Sequence, residues 1–403
     1  MELEQVRYKV IQHIRKENRE TLKNPEGHRD YLQRLFREQL ERERPDMSIV
    51  ELRELSRSLA LDVMGYGPLY ELLRDPLVTE IQVYAPDVVK IEKDGRFIMS
   101  DVRFRDMDHL LTTIRGLVGL AGKRIDESEA VISCKLPDGS RLHASIAPLE
   151  VSGAFLSVRK FPKFLTMEEL IARGSLTEEA AFYLKQVVEV GLNIAVTGIV
   201  GVGKTTLLNA LADLIGQDKT IAVCEQVVEL QFRRRDVRRL EEKPPTIEGT
   251  GAVTLDQLIK EQLRHQHDWD IIGETREKEA YYVLVATTAG HSVMTTFHAE
   301  TPRDAILDRL PDLVMLSKEG QAHQDRQSVE RKVAMAIDVV VQMGKIDGKR
   351  RVVEIAAVGY DGNPVIEPLF RLGYGDRLER LPGNGMEMLR QKRPYRNWKG
   401  LVV

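Results

Sequence analysis

Apolar positions fall into three textures along the chain. Up to residue 58, Val6, Val10, Ile11 and Ile14, then Tyr31, Leu32, Leu35, Phe36 and Leu40, recur every three or four residues. That spacing gives a helix one apolar stripe. The same stretch carries 13 Lys+Arg and 12 Asp+Glu, so residues 1–58 are predicted to be a charged extension of solvated amphipathic helices. Asn24-Pro25-Glu26-Gly27 and Arg44-Pro45-Asp46 interrupt them. From Leu61 to about Phe161 the apolar positions alternate instead, in Glu80-Ile81-Gln82-Val83-Tyr84, Val89-Lys90-Ile91-Glu92, Arg141–Ala147 and Ala154–Arg159, with Lys93-Asp94-Gly95-Arg96 placed as a hairpin turn. A helical pattern intervenes at His109–Leu120. Residues 59–162 are therefore expected to be an α+β domain, ended by a linker over 163–175 that begins within Phe161-Pro162-Lys163-Phe164-Leu165-Thr166.

From 176 to 403 the texture changes again. Short apolar runs at Ile194–Thr197, Thr220–Cys224, Ile271-Ile272, Val293–Phe297 and Val339–Gln342 alternate with helical stretches. This predicts an α/β domain, a mostly parallel sheet with helices on both faces.

The most specific chemistry lies after the first of those strands. Gly198-Ile199-Val200-Gly201-Val202-Gly203-Lys204-Thr205 fits G-x-x-x-x-G-K-[ST], with a strand from Asn193 to Thr197 leading in and a helical run from Thr206 to Ile215 leading out. Glycines let the backbone curl until its N–H groups converge on phosphate oxygens, and a helix N-terminus adds partial positive charge. Gly198 to Thr206 would cradle the phosphates of ATP, Lys204 would reach the β- and γ-phosphates, and Thr205 would ligate Mg²⁺. A carboxylate at a neighbouring strand end must hold the metal or orient the attacking water. Glu274, after Ile271-Ile272-Gly273, is one candidate, to hold a Mg²⁺-bound water or to polarise the attacking one. Glu225 and Glu229, after the strand at 220–224, are a second candidate group, and all three carboxylates stay in contention as the water-orienting base.

Composition removes other classes. The net charge of −3 offers no global basic field for nucleic acid. Arg233-Arg234-Arg235 and Arg238-Arg239 are interleaved with Asp236, Glu241 and Glu242, so they read as a charged surface hairpin, with Arg239 a candidate for an intersubunit contact. Cys134 and Cys224 form no Cys-x-x-Cys pair. His265-Gln266-His267-Asp268 has ligand types but lies in a polar loop without a third spaced ligand, so zinc is not expected there. The start lacks a signal peptide's basic and apolar regions, and no apolar run nears the roughly 20 residues that span a bilayer. A cytoplasmic protein, tied to a membrane through partners, is expected. The tail from Arg390, with five Lys+Arg and no acid, reads as solvated, with Tyr395 and Trp398 as candidate anchors.

Further segments fit one family in order. They are Met64-Gly65-Tyr66-Gly67-Pro68-Leu69 with Val78-Thr79-Glu80-Ile81; Leu136-Pro137-Asp138-Gly139-Ser140-Arg141-Leu142-His143, ending in Ser157-Val158-Arg159-Lys160-Phe161; and the P-loop. Then follow Cys224-Glu225-Gln226-Val227-Val228-Glu229-Leu230, Ile247-Glu248-Gly249-Thr250-Gly251, and Gly273-Glu274-Thr275-Arg276-Glu277-Lys278-Glu279. The last is Ala289-Gly290-His291 through Thr296-Phe297-His298-Ala299 with Pro302-Arg303-Asp304-Ala305. Over about residues 58–370 the chain resembles the hexameric ATPases of type II and type IV secretion systems, most of all those of tight-adherence (Tad/Flp) pilus assembly. The resemblance implies a RecA-like P-loop ATPase domain after the α+β domain and helical extension. It also implies a homo-hexamer that works on an inner-membrane pilus or secretion platform protein. ATP would lie between the domains, with Arg141, Arg159 and more weakly Arg124 reaching the triphosphate, and with His291 and His298 sensing the γ-phosphate or linking subunits. Three positions depart from the family pattern: Val202 replaces a small polar residue, Gln226 an acid, and Asp270 interrupts an apolar strand. Two rival readings stay open, a nucleic-acid translocase on a related core and a nucleotide-binding scaffold with weak hydrolysis.

Overall fold

The computed structural model describes residues 3–18, 26–93, 95–161, 164–243, 245, 250–321, 325–373 and 377–398. The chain divides into two compact units, Met1–Pro162 and Lys163–Val403.

In the first unit the apolar stripes read from the sequence do fold into helices: α1 (Leu3–Glu17), α2 (Arg29–Glu43) and α3 (Ile49–Val63). The Arg44-Pro45-Asp46 break falls between α2 and α3, whose start is fixed by a Ser48/Glu51 capping box. The Asn24-Pro25 break lies outside the described residues. These helices bury Val6, Val10, Ile14, Leu32, Phe36, Leu40 and Leu59 in the same cluster as the strand residues Ile81, Leu142, Leu156 and Val158. They are thus part of the unit's core rather than an appendage. Their charged faces are solvated, but their stripes have an apolar partner, and burial of such side chains stabilises by roughly 1.5–3 kcal/mol each.

After the short helix α4 (Tyr70–Arg74), β1 (Val78–Ala85), β2 (Val88–Lys93), β3 (Arg96–Met99), β4 (Val131–Lys135), β5 (Arg141–Ile146) and β6 (Ala154–Arg159) form one antiparallel sheet, ordered β3-β2-β1-β6-β5-β4. The β2–β3 turn is where the sequence predicts it, although Asp94 lies outside the described residues. Helix α5 (Met107–Leu120), capped by Asp106, lines the core with Leu110, Ile114, Leu117 and Val118. Its Gly116 sits so close to Gly65 that a Cβ there would fall 2.7 Å from Gly65 Cα. That contact, with φ of +86° at Gly65, accounts for glycine in the Met64-Gly65-Tyr66-Gly67 turn.

The second unit opens with α6 (Met167–Ala172) and α7 (Glu178–Val190), the latter started by Thr177 and stopped by Gly191 in the left-handed region. Pro162 and Lys163 of the expected linker lie outside the described residues, and its end is already helical. The remaining elements are β7 (Ile194–Thr197), α8 (Lys204–Ala212), β8 (Ile221–Glu225), β9 (Val237–Glu241), α9 (Leu255–Gln262), β10 (Trp269–Ile272), α10 (Ala280–Thr288), β11 (Ser292–Phe297), β12 (Val339–Ile346), β13 (Lys349–Tyr360), β14 (Pro364–Leu372) and β15 (Leu378–Arg380). Further helical turns between Pro302 and Gln321, the helix Arg326–Ala336 and a last helix Gly385–Lys392 complete it. The nine strands run β15-β14-β13-β12-β7-β11-β10-β8-β9.

From β9 to β12 every pairing is parallel. Ile194 and Val196 pack on one face with α7 and α8, whereas Ala195 packs on the other beside Ala280 and Val333. From β12 to β15 the sheet turns antiparallel, an extension not anticipated from the apolar runs. Its hinge is a two-residue turn, Asp347-Gly348, with both φ values positive, the geometry of a tight hairpin. The expected hairpin at Arg233–Arg239 is also corrected. β9 is an edge strand parallel to β8, and of the arginines before it Arg234 donates to the Gly216, Gln217 and Lys219 carbonyl oxygens while Arg233 pairs with Asp213. The tail turns back as well, because Trp398 packs on the core and donates to Arg393 O, while Tyr395 is fully exposed.

Candidate nucleotide-binding site

All four residues of β7 are buried, and the chain leaves its carboxyl end into a glycine-dependent curl. Gly198, Gly201 and Gly203 have φ of +145°, +76° and +96°, and a Cβ on Gly198 would fall 2.5 Å from Met343 O. Val202 turns into the core while Ile199 and Val200 stay exposed, so the apolar residue at 202 anchors the loop instead of lining it. α8 begins at Lys204, directly after Gly203. The loop therefore brings its N–H groups and a helix N-terminus to one place.

Lys204 is buried, and its ammonium donates to Gly198 O at 3.0 Å and Ile199 O at 3.1 Å. Burial lowers its pKa, partly offset by Glu274. Its Nζ also lies 3.3 Å from His298 Nδ1, and His298 Nε2 lies 2.9 Å from Glu274 Oε1. A neutral imidazole with its hydrogen on Nε2 satisfies both contacts, accepting from the lysine and donating to the carboxylate. Burial first, then Lys204, lowers the His298 pKa and favours that neutral form. Glu274 also accepts from Arg276. These groups come together because β10 and β11 are adjacent and parallel to β7, so the residues after each strand meet at one sheet edge.

The three carboxylates part ways here. Thr205 Oγ1 donates to Glu229 Oε2 at 3.3 Å. Glu274 is on the lysine–histidine chain. Glu225 is almost fully buried, and its Oε1 accepts from the backbone N–H groups of Glu229 at 2.7 Å and Leu230 at 2.8 Å. Burial raises its pKa. Glu225 thus shapes the turn that carries Glu229. Arg239 donates to Leu230 O and lies 3.6 Å from Glu225 Oε2, bracing the same turn.

Two contributors went unread in the sequence. Gln342 accepts from Thr197 Oγ1 and donates to Ala299 O and Glu300 O, tying the strand before the P-loop to the segment after His298. A glutamine inside the apolar run of β12 was the available signal. Arg276, inside the segment Gly273 to Glu279, is the other, through its hydrogen bond to Glu274.

His291 does not join this site. It precedes β11 while His298 follows it, and six strand residues at about 3.3 Å each put roughly 20 Å between them. Its partner is Asp270, 2.7 Å away at the opposite edge of the sheet, so the expectation of a γ-phosphate contact for His291 is corrected. Arg141 and Arg159 belong to the first unit, where they are register partners on β5 and β6. Arg124 is exposed and paired with Asp126. Thr206 lies in the first turn of α8. Of Ile247-Glu248-Gly249-Thr250-Gly251, the first three lie outside the described residues.

The pattern of the type II/IV secretion system protein family matches residues 62–347. A Mycobacterium tuberculosis H37Rv protein named for conjugal transfer is 30% identical over 313 residues, covering 75% of this chain and 87% of its own length. The VirB11 protein of the Brucella suis type IV secretion system is 28% identical over 326 residues, covering 73% and 89%. In fold, the chain is similar to the ATPase DotB of Yersinia pseudotuberculosis, with a TM-score of 0.54, 16% identity and coverage of 72% of this chain and 77% of that one. From its match over residues 62–347 and this ordered site, the chain belongs to the type II/IV secretion system protein family.

Proposed function

We propose that the second unit binds ATP with Mg²⁺ at the P-loop edge and hydrolyses it. The observation that carries this reading is the buried Lys204, held by P-loop carbonyls and linked through His298 to Glu274. The donor set fits the ligands. Loop N–H groups and an ammonium suit a triphosphate, and the Thr205 hydroxyl with nearby carboxylates offers hard oxygens suited to Mg²⁺. Bound ATP would supply the phosphoanhydride whose cleavage releases the driving energy.

Each residue then has a task. Lys204 exchanges its carbonyl partners for phosphate oxygens and neutralises their charge. Thr205, with Glu274 or Glu229, holds the metal. Glu274 is the carboxylate we assign to orient the attacking water, because His298 and Arg276 fix it in place while Glu225 is committed to the backbone. His298, close to the Lys204 ammonium, is poised to report a γ-phosphate.

The larger reading extends this site to a motor. A homo-hexamer would close each first unit onto its nucleotide and reopen after phosphate release, moving an inner-membrane partner in secretion or Tad/Flp pilus assembly. Arg141 and Arg159, register partners on β5 and β6, are the arginines we assign to the triphosphate in that closure, following the family resemblance. The relatives named for conjugal transfer and type IV secretion support a secretion load as readily as a pilus. No described helix is long and apolar enough to cross a membrane, and we assign the attachment, on the cytoplasmic side, to the partner. The test is phosphate release by the purified chain with Mg²⁺ or with EDTA, and with or without the membrane partner or DNA. Mg²⁺-dependent turnover supports the reading. Bound ATP with no turnover in any condition overturns it, and stimulation by DNA alone favours the translocase.

A further inference from the structure

The edge of the sheet opposite the P-loop holds a second convergence of ligand-type side chains. His267 enters from the α9–β10 loop, Asp270 from β10 and His291 from the turn before β11. The parallel register Trp269↔Ser292 brings them together. Asp270 Oδ1 lies 2.6 Å from His267 Nε2 and Oδ2 lies 2.7 Å from His291 Nδ1. One ligand atom from each of the three lies within 4.8 Å of the others. We propose that His267, Asp270 and His291 bind a divalent transition-metal ion of the zinc type.

Several observations lead there. Asp270 is 0% exposed, and among the described residues no Lys or Arg forms an ion pair with it. A buried carboxylate without a fixed cation is costly, and an ion held by two imidazoles supplies the missing charge. Two ring nitrogens and one carboxylate are a borderline donor set that suits zinc and its neighbours and leaves a position open for water. The carboxylate is also oriented from behind. Gln262 donates its amide N–H to Asp270 Oδ1, while its Oε1 accepts from the Cys224 thiol at 2.6 Å. Burial pushes that thiol's pKa up, so Cys224 stays a donor and orients the amide. Fixing a ligand through such outer partners is a recurring property of metal sites. The His267 side chain is 5% exposed and that of His291 14%, so solvent reaches the cluster from the His291 side. Ligands about 2.0–2.2 Å from a tetrahedral ion stand roughly 3.3 Å apart, so the two histidine contacts, which now go to different oxygens of Asp270, must loosen and regroup around one ion.

The full chain, stripped with EDTA and returned to excess Mg²⁺ without nucleotide, is titrated with Zn²⁺ alone. Bound metal is read by elemental analysis and by the melting temperature, and Co²⁺ is substituted to read visible absorption bands of a low-coordinate site. One zinc per chain, a raised melting temperature and cobalt bands, all lost in His291→Gln and Asp270→Asn, are expected. Absence of retained zinc in the wild-type chain overturns the proposal. So does binding that survives His291→Gln, which would place the ion elsewhere. Should Asp270→Asn fail to fold, the partly exposed His291→Gln decides.

Discussion

The two edges of the parallel sheet use the same pair of side chains to different ends. Both β10 and β11 end and begin with polar chemistry: His298 meets Glu274 past their carboxyl ends, and His291 meets Asp270 at their amino ends. At the carboxyl edge the pair is open, with side chains 34% and 24% exposed, and it is coupled to Lys204 and Arg276. At the amino edge the carboxylate is sealed, and its partners are imidazoles and an amide. The difference lies in what surrounds the pair. Strands entering a carboxyl edge lead into loops that can open around a ligand, whereas the amino edge is closed by α9 and the incoming turns. A histidine–carboxylate pair is thus no sign of catalysis by itself; its neighbours decide.

The sharpest way to break the comparison is to remove the lysine that marks the carboxyl edge. Lys204→Ala is expected to lower ATP turnover by about 10³-fold or more, since it removes the principal charge-stabilising donor, while circular dichroism stays native. Retained turnover would detach the chemistry from this edge. Glu274→Gln is next. It keeps shape and nucleotide binding but is expected to cost roughly 10²–10³-fold in turnover if this carboxylate orients the water.

Matched substitutions then separate the two histidines. His298→Ala is expected to reduce turnover by about 10-fold to 100-fold with a near-native melting temperature. His291→Ala is expected to do the reverse. It removes a hydrogen bond to a buried carboxylate, costing about 2 kcal/mol, or roughly 4–8 °C for a unit of this size. Its turnover per folded molecule stays within about threefold. Identical phenotypes for the pair would restore His291 to the nucleotide site.

This contrast also shows what the sequence made legible. The P-loop, the parallel strands and their order of appearance follow from local rules: an apolar run, glycines at positive φ, and a lysine at a helix start. The separation of His291 from His298 was present as well, since six strand residues stand between them. The resemblance grouped what strand geometry divides. Asp270, which the sequence shows as an interruption of an apolar strand, has its explanation in His267 and His291, and that contact depends on the β10–β11 register, which no local pattern fixes. Asp347-Gly348 is a strong turn signal, but the charged start of β13, Lys349-Arg350-Arg351, breaks the alternation expected of a strand. Likewise the arginines near 233–239 look like a hairpin by composition, yet β9 pairs in parallel with a strand already committed to the core.

A smaller effect concerns pH. The ordinary histidine value is 6.5, and His298 sits below it, chiefly through burial. The imidazole must be neutral to accept from Lys204, so turnover should hold as pH falls through 6.5 and decline only below it. On stability the sign is the same: the unfolded chain takes up this proton at a higher pH than the folded one, so stability contributed by the neutral ring is lost as pH falls. In His298→Gln the acidic limb of the turnover profile should flatten.

Glu225→Gln should have the smallest effect, and it is the substitution that best sharpens the roles within the carboxyl edge. The amide oxygen can still accept from the N–H groups of Glu229 and Leu230, so the turn carrying Glu229 should persist and turnover should change by no more than about threefold, well short of what loss of a general base costs. The carboxylate's pKa is raised because burial disfavours its charge. The folded state therefore binds that proton more tightly than the unfolded state, and the wild-type chain loses stability as pH rises from the ordinary carboxylate range through the raised value. The neutral amide escapes this loss but gives up the charge facing Arg239 at 3.6 Å. The two terms oppose, leaving a stability change within about 1 kcal/mol at neutral pH, read by denaturant titration across that range. A large loss of turnover with ATP still bound would transfer the water-orienting role from Glu274 to Glu225, and the sealed carboxylate would then be the catalytic one.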